Sequence, residues 1–163
     1  MLKHAFWLAA AVFASGAARA QNLPAAIAAP GEIALLTLHA QGAQIYECKA
    51  GEGGKLAWTF REPIASLFEK GETVGRHYRG PAWELADGSM VTGKPVANAP
   101  GATPQDIPWL KLEVDTRRGT GKLTGVTTIQ RINTKGGVMT GECASAGAFF
   151  SAPYATDYVF LKK

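Results

Sequence analysis

Ala82-Trp83-Glu84-Leu85-Ala86-Asp87-Gly88-Ser89-Met90-Val91-Thr92 sets two short runs of strand-forming residues around an Asp-Gly pair. Asp-Gly supplies the positive φ angles that a two-residue type I′ turn demands, so the stretch reads as a β-hairpin turning at Asp87-Gly88. Residues 107–115 (IPWLKLEVD) strengthen that reading by strict alternation. Leu110, Leu112 and Val114 fall on one face, and Lys111, Glu113 and Asp115 on the other. One face of such a strand packs on a core while the other meets water. Both are signatures of antiparallel sheet.

The same pattern recurs in both directions. Residues 34–40 (ALLTLHA) and 43–48 (AQIYEC) read as two strands of a hairpin around Gln41-Gly42. Residues 56–60 (LAWTF) form a third run, reached through Gly51-Glu52-Gly53-Gly54. Residues 63–68 (PIASLF) are ambiguous. Ile64, Leu67 and Phe68 have helical spacing and Pro63 suits a first helical position, which makes a one-turn helix the alternative. The run is short for a helix, and Lys70-Gly71 leads straight into residues 73–78, so a hairpin is the preferred reading. Residues 123–132 (LTGVTTIQRI) form a β-branched strand after a polar, basic turn, and residues 154–161 (YATDYVFL) close the series. Turn signals every ten residues or so, among nineteen glycines and nine prolines, imply an all-β fold. The expected form is an antiparallel barrel or sandwich of about eight to ten short strands. Residues 96–108 and 136–153 read as long Pro/Gly-rich loops.

The N-terminus reads differently. Lys3 and His4 precede an apolar run over residues 5–14, and Ala18-Arg19-Ala20 places small residues where a signal peptidase cuts, so residues 1–20 read as a secretory signal peptide. Gln21, not a cysteine, follows the cut, which argues against a lipid anchor. Residues 21–30, rich in alanine and proline, read as a flexible leader, and residues 31–163 as a single β-rich domain. Loss of Lys3 and Arg19 takes the formal charge from +4 to +2, too little to argue for nucleic acid or an acidic membrane. No second run has the length of a transmembrane segment. The expected setting is extracytoplasmic, periplasmic or secreted. There Cys48 and Cys143, the only cysteines, are expected to form a disulfide closing a loop of roughly a hundred residues.

Several segments together resemble a known family. They are residues 58–63 (WTFREP), 75–84 (GRHYRGPAWE), 87–94 (DGSMVTGK), 125–137 (GVTTIQRINTKGG) and 153–160 (PYATDYVF). The chain resembles the secreted family catalogued as domain of unknown function three-four-five-five, found in bacteria and fungi. The likeness spans nearly all of the mature chain. It implies an extracytoplasmic single domain and supplies no mechanism. The malate dehydrogenase label carried by some fungal relatives finds no support here, because the chain lacks a glycine-rich strand-to-helix turn and βαβ alternation.

Few residues carry chemistry. His39 and His77 are the only histidines after residue 20, and with no H-E-x-x-H or cysteine-rich spacing neither a metal site nor a cofactor is expected. His77 lies among aromatic and glycine residues, where it either packs in the core or caps a strand-end carbonyl, or else serves a site. With Tyr78, Trp83 and Arg61 it forms the candidate binding set, fit to stack a sugar ring or hold a small apolar ligand. Trp58 reads as core, and Trp109 as core or site. A rival reading is a small hydrolase with Ser89 as nucleophile, His77 as base and Asp87 as orienter, although a turn Asp or Ser usually bonds its own backbone. A structural or protein-interaction module is the third. Glu84 and Asp87 as a glycosidase pair give way to Glu84 as a solvent-facing residue. Arg61 with Glu62, and Arg131 with Asp157, read as ion pairs bracing strands.

Overall fold

The computed structural model describes residues 23–163, so the signal peptide read over residues 1–20 lies outside the described residues. Its strands are β1 Ile33–Ala50, β2 Leu56–Glu69, β3 Glu72–Tyr78, β4 Ala82–Leu85, β5 Met90–Ala99, β6 Trp109–Arg118, β7 Thr128–Gly136 and β8 Phe149–Lys162. Each pairs antiparallel with the next, and β1 also pairs with β8, so a single sheet closes into an irregular barrel. Closure removes the free sheet edges that a sandwich would keep.

The strands are longer than the turn signals implied. Gln41-Gly42 makes no hairpin, because β1 runs straight through it. At Gly42 the two backbones approach so closely that a Cβ would fall 2.0 Å from the Ile64 carbonyl oxygen and 2.5 Å from the Ala65 Cα. Glycine here marks a close passage of two strands and not a turn. Residues 56–60 and 63–68 likewise merge into β2, and Pro63 begins no helix. The register slips between them: Ile45 faces Glu62 while Tyr46 faces Phe60. Arg61 is therefore the extra residue of a β-bulge, a device that bends a strand and re-aims a side chain. β5 reaches Ala99, so the loop read over residues 96–108 shrinks to residues 100–108.

Two turns exchange roles. Lys70 and Gly71, with φ of 52° and 88°, form the two-residue loop between the paired Glu69 and Glu72. Those are the two positive angles of a type I′ turn. At Asp87-Gly88 only Gly88 has positive φ, at 86°. The Gly88 N–H donates to the Leu85 carbonyl, and the Leu85 N–H to the Ser89 carbonyl. The hairpin thus closes through a three-residue loop, not the expected two-residue one.

Alternate residues fill the interior. Leu38 and Leu67 join Trp83, Val91, Leu112, Ile129 and Phe160 in one buried cluster, against which Leu110 and Val114 pack as the alternation of β6 requires. Cys48 and Cys143, 95 residues apart, are joined in a disulfide that ties the end of β1 to the loop before β8. Residues 23–30 lie against the outside of the sheet. Ile27 is fully buried with Ala99 and Ile132, its carbonyl accepts a 2.7 Å bond from Gln130 Nε2, and the Ala28 carbonyl accepts one from Lys111 Nζ. Among the described residues no helix is long and apolar enough to cross a membrane.

Candidate functional site

His77 on β3 and Trp83 on β4 are directly opposed in the sheet, joined through the Arg79-Gly80-Pro81 turn. Both side chains enter the barrel and their rings stack, centroids 4.5 Å apart and planes 17° from parallel. Tyr158 from β8 completes the group, 5.0 Å from His77 and edge-on to Trp83 at 5.2 Å. All three are almost wholly buried.

His77 is fixed in one tautomer. Its Nδ1 lies 2.8 Å from the Ala82 carbonyl oxygen, and since a carbonyl only accepts, Nδ1 carries the proton and Nε2 the lone pair. Burial lowers the imidazole pKa to about 3, an effect the Ala82 bond opposes and the nearby Arg131 charge reinforces. His77 is therefore neutral at physiological pH.

A cavity of about 390 Å³ opens beside this trio, toward the barrel end marked by the Arg79-Gly80-Pro81 turn. Leu110, Leu112, Pro63, Pro95 and Phe60 give it apolar walls, and among the described residues Arg61, Arg79 and Arg131 are its only charged lining residues. Arg61 reaches it from the β2 bulge. Its Nη1 lies 3.3 Å from Glu47 and its Nε 3.0 Å from Glu62, and its guanidinium covers the Phe149 ring. Arg79 also pairs with Glu62, at 3.4 Å. Arg131 is different: its Nε and Nη2 donate to the Pro108 carbonyl, and among the described residues no carboxylate lies within ion-pair distance of it.

The lining also holds buried polar atoms without partners. The Trp83 indole N–H makes no hydrogen bond among the described residues. Nor does the Tyr158 hydroxyl make one of good geometry, although Tyr154 and Arg131 stand beside it. Burial raises the pKa of Tyr158, so its proton stays in place as a donor.

His77, Trp83 and Arg61 thus meet at one cavity, and Tyr78 does not. As the next residue along β3 it faces outward, where its hydroxyl donates to Glu84 Oε2 at 2.8 Å and Arg76 lies over its ring. That bond and the Arg76 pairing hold the Glu84 carboxyl below its usual pKa. Trp58 is only half-buried, against Phe150, and Trp109 packs with the Ile27 cluster outside the sheet.

Arg131 was misread from the sequence. Its cross-strand partner is Tyr158, while Asp157 faces Ile132. Neighbouring residues on a strand point to opposite faces, so Arg131 and Asp157 cannot meet. Asp157 instead bonds His39 and Asn133 on the outer surface. The alternation of Ile129 and Arg131 with Gln130 was the signal that could have placed Arg131 inside.

The residues of the imagined hydrolase lie apart. The Ser89 hydroxyl donates to Asp87 Oδ1 at 2.6 Å within the turn, His77 bonds the Ala82 carbonyl, and neither Ser89 nor Asp87 lines the cavity. Asp87 Oδ1 also accepts from the Ser89 N–H, and Oδ2 from the Lys122 N–H, which clamps the turn to the β6–β7 loop. Among the described residues no group of three or more His, Cys, Asp or Glu is placed to hold a metal ion.

Sheet and cavity together define a closed antiparallel β-barrel protein with an aromatic, arginine-lined cavity. Residues 29–162 match the family model described as "Protein of unknown function (DUF3455)", and the chain belongs to that family. No curated protein and no solved structure matches it.

Proposed function

We propose that this chain is an exported, non-enzymatic binding protein that holds a small, largely apolar ligand in the cavity beside His77 and Trp83. The observation that carries this reading is the cavity itself, apolar in its walls and within the size range of small-molecule sites. Its polar groups are few and held in place, as orientation of a ligand requires. A neutral imidazole at a pKa of about 3 suits a fixed hydrogen-bond acceptor better than a general base, whose pKa should lie near the working pH. Export rests on the residue 1–20 pattern and agrees with the disulfide.

The test is a thermal-shift screen with apolar probes, neutral and anionic, such as indole, cinnamyl alcohol and trans-cinnamate, on the wild type and on Leu110→Trp, which fills the cavity. Probes that raise Tm in the wild type and not in the variant support the reading. A wild type that responds to none of them, or a variant that responds equally, refutes it. Export is checked by intact mass, which should correspond to a chain starting at Gln21.

A protein-interaction role is the second reading, favoured by Phe60, Phe149 and Phe150, which stay 50%, 59% and 39% exposed. Exposed aromatics of this kind are common at contact surfaces.

A further inference from the structure

The cavity has one sign of charge. Among the described residues three arginines line it and no acidic residue does. Two of those arginines are already neutralised: Arg61 by Glu47 and Glu62, Arg79 by Glu62. Arg131 has no acidic partner among the described residues, only the Pro108 carbonyl and the adjoining Tyr158 hydroxyl. A guanidinium has five N–H donors, so two bonds to one carbonyl oxygen leave both its charge and part of its donor set uncommitted. The guanidinium is half-buried, at the open side of the cavity, so it is free to receive an anion from solvent.

Three further lining residues, Gln44, Trp83 and Tyr158, carry buried donors without a well-formed partner among the described residues. The Trp83 indole N–H is buried without a partner, and the buried Tyr158 hydroxyl lacks a well-formed bond beside Arg131. Trp donates only, and a guanidinium donates only, so what would satisfy them together is an acceptor-only group. A carboxylate has two acceptor oxygens and the charge that Arg131 lacks, and it matches a guanidinium fork in geometry. Beyond these donors the walls are Leu110, Leu112, Pro63 and Phe60, which ask for an apolar body.

Resting on the binding reading above, we propose that the ligand is a small apolar carboxylate, its head group on Arg131, Tyr158 and the Trp83 N–H and its hydrocarbon part along the apolar walls. Arg131 is the residue that selects for the acid.

The experiment compares acid and alcohol of the same shape by titration calorimetry: trans-cinnamate with cinnamyl alcohol, and octanoate with octanol. In the wild type at least one acid should bind about tenfold or more tighter than its alcohol, the scale of a hydrogen bond to a charged group. Arg131→Gln should bring the ratio close to one by weakening the acid and not the alcohol. Arg131→Lys, which keeps the charge, should retain part of the preference. Arg76→Gln removes a like charge from the outer face and should leave the ratio unchanged. The wild-type ratio needs no variant, so it stands even if Arg131→Gln fails to fold. Equal binding of acids and alcohols overturns the proposal while leaving the binding reading intact. Binding of neither kind overturns both. An acid preference that survives Arg131→Gln in a folded protein also overturns it. If only the octanoate pair discriminates, the ligand is an aliphatic acid; if only the cinnamate pair does, an aromatic one.

Discussion

The His77 imidazole lies flat against the Trp83 indole, 4.5 Å between centroids, with its one protonated nitrogen spent on the Ala82 carbonyl. Burial takes the ring out of solvent, which disfavours its charged form. Its pKa of about 3 lies far below the ordinary 6.5, so between those values the unfolded chain binds a proton that the folded chain refuses. Stability therefore falls as pH drops from about 6.5 toward 3, by up to about 1.4 kcal/mol per unit from this group. Urea unfolding between pH 6.5 and 4.5, with His39→Gln in both backgrounds, should show this slope. His77→Gln should flatten it. Equal slopes in the two proteins would mean that His77 titrates in the fold.

The Cys48–Cys143 bridge spans 95 residues, for which loop-closure entropy gives about 4–5 kcal/mol, with measured bridges usually somewhat below such figures. Replacing both cysteines with serine should lower unfolding free energy by about 3–5 kcal/mol. Thiol titration of unreduced, denatured protein from an oxidising host should find almost none. A loss under about 1 kcal/mol would show that the barrel already fixes both ends.

Asp87→Ala and Gly88→Val should both destabilise, for different reasons. Asp87 accepts from Ser89 and Lys122 and joins two loops; its loss should cost about 1–2 kcal/mol, reduced by its exposure. Gly88 alone in the turn has positive φ, which a β-branched residue strongly disfavours. The Ser89 bonds, chief among the causes, hold the Asp87 pKa below its usual value of 3.8. The part of its contribution that depends on charge is present above pH 3.8 and lost as pH falls through the lower, folded value. Denaturation midpoints at pH 7 and pH 3 would show Asp87→Ala losing less than the wild type on acidification.

Gly42→Ala tests the crossing of β1 and β2. An added methyl would overlap the Ile64 carbonyl oxygen and the Ala65 Cα of β2, and backbone cannot step aside as a side chain tip can. A loss above about 3 kcal/mol, or no folded protein, is expected. A variant with wild-type Tm would mean that the strands separate there at little cost.

The all-β class was legible because alternation, as in Leu110, Leu112 and Val114, is a local property of the chain. Strand lengths were not. Gly42 looks like a turn residue, and only the arrival of Ile64 and Ala65 from β2 shows that its missing side chain makes room. Asp87-Gly88 was marked as a turn, but its loop length depends on Leu85 pairing with Ser89. For the site, His77 and Trp83 were visible because six residues and a Gly-Pro bend separate them. Arg61 was named, although the bulge that aims it arises from register with β1. Arg131 was missed since its place depends on facing Tyr158 and not Asp157, a choice made by the pairing of β7 with β8.

The pairing of β1 with β8 has a consequence in time. The first strand stays half-paired until the last one arrives, and Cys48 has no partner thiol until Cys143 has been synthesised. Contacts this distant in sequence form late and slowly. A ribosome-bound or partly threaded chain lacking β8 would present two open edges, the form in which β proteins associate wrongly. The nascent chain therefore cannot close its barrel until β8 has been made.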